Sequence, residues 1–202
     1  MNSCLFIDKI KQYRVVLASG SPRRRELLAD MGVDFVVDVP EDVDESFDDA
    51  IAAVDVAAEL ACRKANAYRR LRGIDENTVV IAADTVVISG NRVLGKPADE
   101  SEARQMLKEL SGKTHQVITG VSVATKNSVD TRKQVTEVTF ADLSENEIDY
   151  YIARYQPMDK AGAYGIQEWI GCIGITHISG DYYNVMGLPL RLLYEMLTSD
   201  LG

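Results

Sequence analysis

The stretch that decides the fold is VVLASGSPRRRELL, residues 15–28. Residues 15–17 predict a buried strand, and Ser21 and Pro22 are favoured at the cap and first position of a helix. The arginines at 23–25 would then oppose the positive end of the helix dipole. Either they are solvated surface charges, or they help the free N–H groups of the helix start to bind a phosphate chain. The strand–turn–helix setting favours phosphate binding.

Composition limits the class of protein. The chain has 202 residues, is 46% hydrophobic and carries a formal net charge of −9. This length allows one sizeable α/β core or two small lobes. The acidic balance disfavours a nucleic-acid or membrane-surface binder, because both polyanions would be repelled. A local basic patch in an acidic protein fits a small anionic ligand better.

The cysteines and the N-terminal residues indicate a cytoplasmic protein. The cysteines at 4, 62 and 172 are odd in number and lack C-x-x-C spacing, so they predict neither a disulfide framework nor a zinc site. No apolar run reaches transmembrane length. Residues 1–14 have charges within a short apolar stretch, which favours a brief extension over a secretory signal.

Periodicity along the rest of the chain predicts one mixed-sheet α/β unit whose polar loops gather at a cleft. Asp99 with Glu102, and Ser144 with Glu147, resemble capping boxes at helix starts. Helices are predicted at 22–31, 51–71, 102–110, 145–154 and after 189, and strands at 34–39, 78–88, 92–94, 115–125, 133–143 and 172–178.

Several carboxylates and a lysine are candidates for catalysis or metal binding. Asp84 interrupts a buried strand, where a charge is costly unless it is paired, bound to a metal or capping a loop. The acidic loop with Asp42, Asp44 and Glu45 is either solvated or able to hold a hard cation such as Mg²⁺. Lys64 would extend to solvent or into a cleft. Together these groups supply the cations, base and metal ligands for water attack on a phosphoanhydride.

Other features of the chain are less specific. Lys96 lies on a tight loop beyond the Asp84 hairpin, and residues 159–167, DKAGAYGIQ, suit either a loop against a base or sugar or an ordinary glycine-rich crossover. His115 and His177 lie in strand-like surroundings and are predicted to be structural. Walker A, GxGxxG and Ser-His-Asp patterns are absent from the sequence.

Six motifs, in order, resemble the Maf family of nucleoside triphosphate pyrophosphatases: SGSPRRREL, AADTVV, LGKP, LSGKTHQVITGV, DKAGAYGIQ and GDYYNVMGLPL. The resemblance runs from residue 15 to 193. It implies an elongated mixed β-sheet flanked by helices, bilobed with a central cleft, similar to inosine triphosphate pyrophosphatases, in a single domain over 15–202. It also implies a cytoplasmic homodimer that hydrolyses a nucleoside triphosphate to monophosphate and pyrophosphate with Mg²⁺ or Mn²⁺.

The resemblance assigns roles at the triphosphate. Ser19, Arg23 and Arg24 would contact it, and Arg23 would also influence substrate choice. Glu45 would hold the metal together with Asp84, although Asp44 or Asp42 would serve if the loop aligns differently.

The remaining family roles concern catalysis and the base. Asp84 would be the proton acceptor that activates water, and Lys64 and Lys96 would line the phosphate site. Thr85 would help to set specificity, and Gln167 matches the branch that acts on dTTP and UTP, since an amide can read the O4/N3 edge of uracil or thymine. A 7-methyl-GTP pyrophosphatase and a nucleotide-binding regulator of septum formation are the alternatives.

One departure from the family pattern concerns the base pocket. Glu168 and Trp169 follow Gln167, where the family more often has glycine or another small residue. A different pocket wall is therefore expected at this point.

Overall fold

The computed structural model of the chain describes residues 6–41, 43–48 and 50–200. The strands in this part of the chain are β1 (Arg14–Leu17), β2 (Phe35–Val37), β3 (Thr78–Ser89), β4 (Arg92–Leu94), β5 (Thr114–Ala124), β6 (Val129–Phe140) and β7 (Ile175–Ser179). The helices there are α1 (Phe6–Ile10), α2 (Pro22–Asp30), α3 (Val56–Arg72), α4 (Glu100–Leu110), α5 (Glu145–Tyr155), α6 (Trp169–Gly174), α7 (Tyr182–Met186) and α8 (Leu190–Asp200). No helix of the described residues is long and apolar enough to span a bilayer.

One mixed sheet contains the strands, in the order β2-β1-β3-β5-β6-β7, with β4 paired to β3. β1 is parallel to β2 and β3, whereas the β3–β4 and β6–β7 pairs are antiparallel. Helices follow β1, β2, β4, β6 and β7 along the chain, so the predicted mixed-sheet α/β class is confirmed.

The chain divides into two compact units. The first unit comprises Met1–Asp84, Thr119–Gln134 and Gly187–Gly202, and the second unit comprises Thr85–Ile118 and Val135–Met186. In the first unit, small and β-branched side chains of β1 and β3 pack against α3. This core contains Val16, Ala18, Ala65, Tyr68, Val80, Ala82 and Ala124.

Local signals set the helix that follows β1. Pro22 occupies its first turn, and Gly32 follows its end with φ of 76°, a conformation that glycine adopts without strain. Ser21 occupies the cap position, but its side chain makes no capping hydrogen bond. The predicted helix and its cap residue are therefore confirmed, although the Ser21 hydroxyl does not form the usual capping hydrogen bond.

Two other predicted segments begin later than expected. The helix predicted from residue 51 begins at Val56, because Ala53–Asp55 forms a separate 3-10 turn, and Leu71 is 51% exposed rather than part of the apolar stripe. Cys172 lies in the short helix α6 instead of a strand, since the Glu168 carbonyl accepts hydrogen bonds from the N–H groups of Gly171 (2.9 Å) and Cys172 (3.3 Å).

Both predicted capping motifs are present in the second unit. At α5, Ser144 and Glu147 each accept from the other's backbone N–H, which completes a capping box. At α4, Asp99 accepts from the Glu102 N–H at 2.8 Å, but the Glu102 carboxylate reaches back to the N–H of Ala98. The α4 motif therefore differs from a capping box in one bond, because the Glu102 carboxylate accepts from the N–H of Ala98 and not from that of Asp99.

An aromatic cluster in the second unit encloses His115. The imidazole is 2% exposed, and its Nε2 lies 2.8 Å from the Tyr164 hydroxyl. Phe140 and Tyr164 meet the ring edge-on, with centroids 5.2 and 5.5 Å away. Its Nδ1 is the buried side-chain polar atom without a hydrogen-bond partner in the part of the chain described. Burial lowers the pKa of His115 to about 4, so the ring is neutral at physiological pH.

The fold is expected to lose stability in mild acid through His115. Its pKa is about 4 when folded and about 6.5 when unfolded, so between these values the unfolded chain binds a proton that the folded chain excludes. As pH falls from about 6.5 to about 4, the free energy of unfolding should drop by up to about 3 kcal/mol from this group. Urea titrations across that range would measure it.

Two variants isolate the contribution. His115→Gln keeps a polar partner for Tyr164 but cannot titrate, so its free energy of unfolding should fall less steeply with acid than that of the parent. His177→Gln alters an exposed histidine of β7 and should behave as the parent does. An unchanged slope in His115→Gln would contradict the assignment.

Candidate active site

The turn between β1 and α2 is organised by Ser19. Its side chain is buried, and its Oγ accepts hydrogen bonds from the Ser21 N–H (3.3 Å) and from Nη1 of Arg24 (3.1 Å). Both bonds use lone pairs of the hydroxyl oxygen, so its own proton can be donated to an anion. The turn thus presents a donor beside the start of the helix.

Arg24 connects this turn to two other segments. Its Nη1 also donates to the Ala83 carbonyl on β3, and its Nε donates to the Gly187 carbonyl, both at 2.8 Å. Burial lowers the pKa of Arg24, and the charge of nearby Asp84 opposes that shift. Arg24 therefore holds Ser19 next to the strand that carries Asp84. Arg23 is half-buried, and its charge also acts on Arg24.

The centre of the site is a lysine between two carboxylates. Nζ of Lys64, on α3, lies 2.5 Å from Oδ1 of Asp84 and 2.9 Å from Oε1 of Glu45. The side chains of Lys64 and Asp84 are 13% and 14% exposed, whereas that of Glu45 is 55% exposed. Asp84 is thus a nearly buried carboxylate compensated by an ammonium, with Glu45 at the more accessible side.

A neighbouring arginine fastens the loop that carries Glu45. Arg63 donates to the Ser46 carbonyl at 2.7 Å and to Glu59 at 2.8 Å, one turn earlier on α3. Asp44 accepts from the Ser46 N–H at 2.9 Å, so its carboxylate stabilises the loop. The alternative ligand Asp42 lies outside the described residues.

A divalent cation fits this donor set when substrate is also bound. Among the described residues, no three His, Cys, Asp or Glu side chains are grouped so that they could hold a metal unaided. Glu45 and Asp84 do already share one cationic partner, Lys64. Mg²⁺ characteristically binds one or two carboxylates and completes its shell with water and substrate phosphates.

The other predicted site residues belong to the second unit. Thr85 follows Asp84 on β3 and is half-buried. Lys96 and Gln167 are exposed on separate loops. The Gly162 N–H donates to the Gly95 carbonyl at 3.0 Å, which joins the loop before Lys96 to the segment that leads to Gln167.

Comparison with known proteins identifies the family. Residues 14–200 match the family of Maf-like proteins. The chain belongs to that family. It is 51% identical over 191 residues to a dTTP/UTP pyrophosphatase of Phocaeicola vulgatus, covering 95% of this chain and 98% of that protein. It is 48% identical over 196 residues to a dTTP/UTP pyrophosphatase of Porphyromonas gingivalis, covering 97% and 98%.

The fold of this Maf-like chain is also found in a solved structure. The Ham1 protein of Staphylococcus aureus superposes with a TM-score of 0.53 over 93% of this chain and 99% of that one, at 20% sequence identity. At that identity the likeness concerns the fold alone, and it agrees with the expected mixed sheet flanked by helices.

Several contacts of the Maf-like chain were not predicted. Glu168 points into a polar network with Tyr151 and Lys160, and Trp169 packs edge-on against Tyr150 with ring centroids 4.8 Å apart. The only sequence feature that pointed to this network was the presence of Glu168 and Trp169 where the family more often has glycine or another small residue. Nothing in the sequence indicated that Arg63 would hold the acidic loop.

Proposed function

We propose that this chain hydrolyses dTTP and UTP to the nucleoside monophosphate and pyrophosphate. The observation that carries the proposal is the ion pairing of Lys64 with both Asp84 and Glu45. Asp84 is the residue after Ala83 on β3, whose carbonyl accepts a hydrogen bond from Arg24. Two carboxylates that share one ammonium are thus linked through Arg24 to a helix start suited to phosphate. The relatives named dTTP/UTP pyrophosphatase, about half identical over nearly the full length, support the reaction and the substrate class.

Phosphate binding would involve the start of α2 and nearby donors. The first N–H groups of a helix lack intrahelical partners and attract anions. Ser19 and Arg23 would contact the triphosphate there, and the phosphate role of Lys96 stays a prediction from the family motifs. Arg24 would act chiefly by holding Ser19, since three protein acceptors engage its guanidinium.

Asp84 would act as the general base. It would take one proton from a water whose oxygen forms a bond to the α-phosphorus while the α–β bridging P–O bond breaks. Pyrophosphate leaves with the electrons of that bond. Lys64 would orient the Asp84 carboxylate and stabilise the charge that develops on the phosphate oxygens.

A divalent cation such as Mg²⁺ or Mn²⁺, held by Glu45, Asp84 and substrate oxygens, would supply further stabilisation of phosphate charge. Glu45 is suited to this because its carboxylate is more accessible than that of Asp84 and its loop is fastened by Arg63.

The decisive experiment is a panel of nucleoside triphosphates incubated with the purified protein and Mg²⁺ or Mn²⁺, with monophosphate and pyrophosphate measured separately. Turnover of dTTP and UTP to both products is expected. Turnover confined to 7-methyl-GTP would keep the reaction but replace the substrate. Tight nucleotide binding without turnover would favour the regulatory alternative.

Base selection is expected to depend on Gln167. Gln167→Glu replaces the amide NH₂ with a carboxylate oxygen, which cannot donate to O4 of the pyrimidine. We expect kcat/KM for dTTP and UTP to fall by about tenfold to a hundredfold, as for the loss of a base-reading hydrogen bond. Gln105→Glu makes the same charge change on exposed α4 and serves as the matched control. An unchanged pyrimidine preference would contradict the role of Gln167.

A further inference from the structure

Glu168, directly after Gln167, is held in a nearly buried polar network of the second unit. Its side chain is 18% exposed, and its Oε1 lies 3.1 Å from Nζ of Lys160. Lys160 is 7% exposed and also pairs with Asp159 at 2.7 Å. Buried charges are costly unless they are well paired, so the ion pairs of Lys160 constrain where the Glu168 carboxylate lies.

Tyr151 links the Glu168 side chain to the turn formed by residues 165–168. The turn is closed by the Glu168 N–H, which donates to the Gly165 carbonyl at 3.0 Å. The Gly165 N–H donates to the Tyr151 hydroxyl at 3.0 Å, and that hydroxyl donates to Oε2 of Glu168. Both ends of the turn are therefore tied to one hydroxyl. Burial and the Glu168 carboxylate raise the pKa of Tyr151, so the hydroxyl keeps its proton.

Packing restricts the same turn further. Ile166, one of its two central residues, is 6% exposed, while Gln167, the other, is exposed. A Cβ atom on Gly165 would lie 3.0 Å from Oε2 of Glu168, so the carboxylate rests directly against the turn backbone. The turn thus has one buried and one outward-facing central residue, with little freedom to exchange them.

We propose that Tyr151 and Glu168 are positioning residues for base selection, which fix the turn and hence the point from which the Gln167 amide meets the base. The inference rests on the proposed role of Gln167. An amide carries both an acceptor and a donor, so it matches O4 and N3–H of uracil and, turned over, N4–H₂ and N3 of cytosine. Discrimination between UTP and CTP therefore requires an amide held in place.

Tyr151→Phe tests the inference while keeping the ring and its stacking on Tyr155, whose centroid is 5.1 Å away. We expect the preference for UTP over CTP, as a ratio of kcat/KM values, to fall about tenfold, since two hydrogen bonds to the turn are lost. KM for UTP should rise, with kcat changed less than about threefold. Tyr155→Phe removes the neighbouring hydroxyl and should leave the ratio unchanged.

A second background separates positioning from general destabilisation. If Tyr151 acts through Gln167, Tyr151→Phe should cause no further change of preference in Gln167→Ala. A merely structural role would lower kcat for both substrates in both backgrounds. Glu168→Gln keeps an acceptor for Tyr151 and should retain more of the preference than Glu168→Ala. This pair carries the test if circular dichroism shows Tyr151→Phe to be unfolded.

The outcomes distinguish the two proposals. If Gln167→Ala alters the preference but Tyr151→Phe and Glu168→Ala do not, the positioning role is overturned and the proposed function stands. If Gln167→Ala itself leaves the preference intact, the role of Gln167 is wrong and the positioning role fails with it. Turnover of UTP by the parent enzyme tests the reaction separately from both.

Discussion

Asp84→Asn is expected to bind dTTP or UTP nearly as well as the parent and to turn it over about a hundredfold to ten-thousandfold more slowly. Asparagine has the same shape and still accepts a hydrogen bond from Lys64, but its amide cannot take a proton from water. The expected signature is a loss in kcat with little change in nucleotide affinity, measured by single-turnover kinetics and calorimetry.

Glu45→Gln is the matched control, because it makes the same change in the other carboxylate on Lys64. This variant should need more Mg²⁺ for half-maximal turnover and should recover much of its kcat at saturating metal. If both variants lost kcat equally at saturating metal, Asp84 would act through charge rather than as a base. An Asp84→Asn variant within tenfold of the parent kcat would contradict the general-base role outright.

Local sequence signals made the turn between β1 and α2 predictable. The β1–α2 segment carries its own signals in Pro22 and Gly32, and both function as expected. β1 and β3 are adjacent and parallel, and Nη1 of Arg24 joins Ser19 to the Ala83 carbonyl on β3. That pairing is itself a long-range contact, so the sequence linked Ser19 with Asp84 only through the family motifs.

Long-range contacts account for what the sequence concealed. The acceptor for Nε of Arg24 is the carbonyl of Gly187, 163 residues away, and a backbone carbonyl leaves no trace in side-chain patterns. Arg24 therefore looked like a phosphate ligand equivalent to Arg23. Likewise Tyr151 lies within the helix predicted at 145–154, and its hydroxyl accepts from the Gly165 N–H of the turn at 165–168.

The strand predicted to begin at Cys172 was wrong at its start for a different reason. Residues 172–178 alternate apolar and polar side chains only weakly, and the β-branched residues begin at Ile173. Two glycines, Gly171 and Gly174, flank the cysteine, and a Cβ on Gly171 would collide with the Ile166 carbonyl. Close backbone approach, rather than strand propensity, therefore sets the local structure there.

Arg24→Ala is expected to lower the free energy of unfolding by about 3–5 kcal/mol, a large share of the stability of an ordinary domain. The substitution leaves Ser19 and the carbonyls of Ala83 and Gly187 without their guanidinium donor. It also removes the positive charge that acts on Asp84. Urea unfolding followed by circular dichroism would measure the loss.

Its neighbours on α2 provide the comparison. Arg25→Ala loses a single exposed contact, from Nη2 to the Gly20 carbonyl at 3.3 Å, and should change stability by less than about 0.5 kcal/mol. Arg23→Ala should raise KM for the triphosphate. If Arg24→Ala instead kept full stability and only raised KM, Arg24 would be a phosphate ligand like Arg23. Arg23 and Arg24 would then share one role, whereas the observed hydrogen bonds of Arg24 join the turn after β1 to the strand of Asp84.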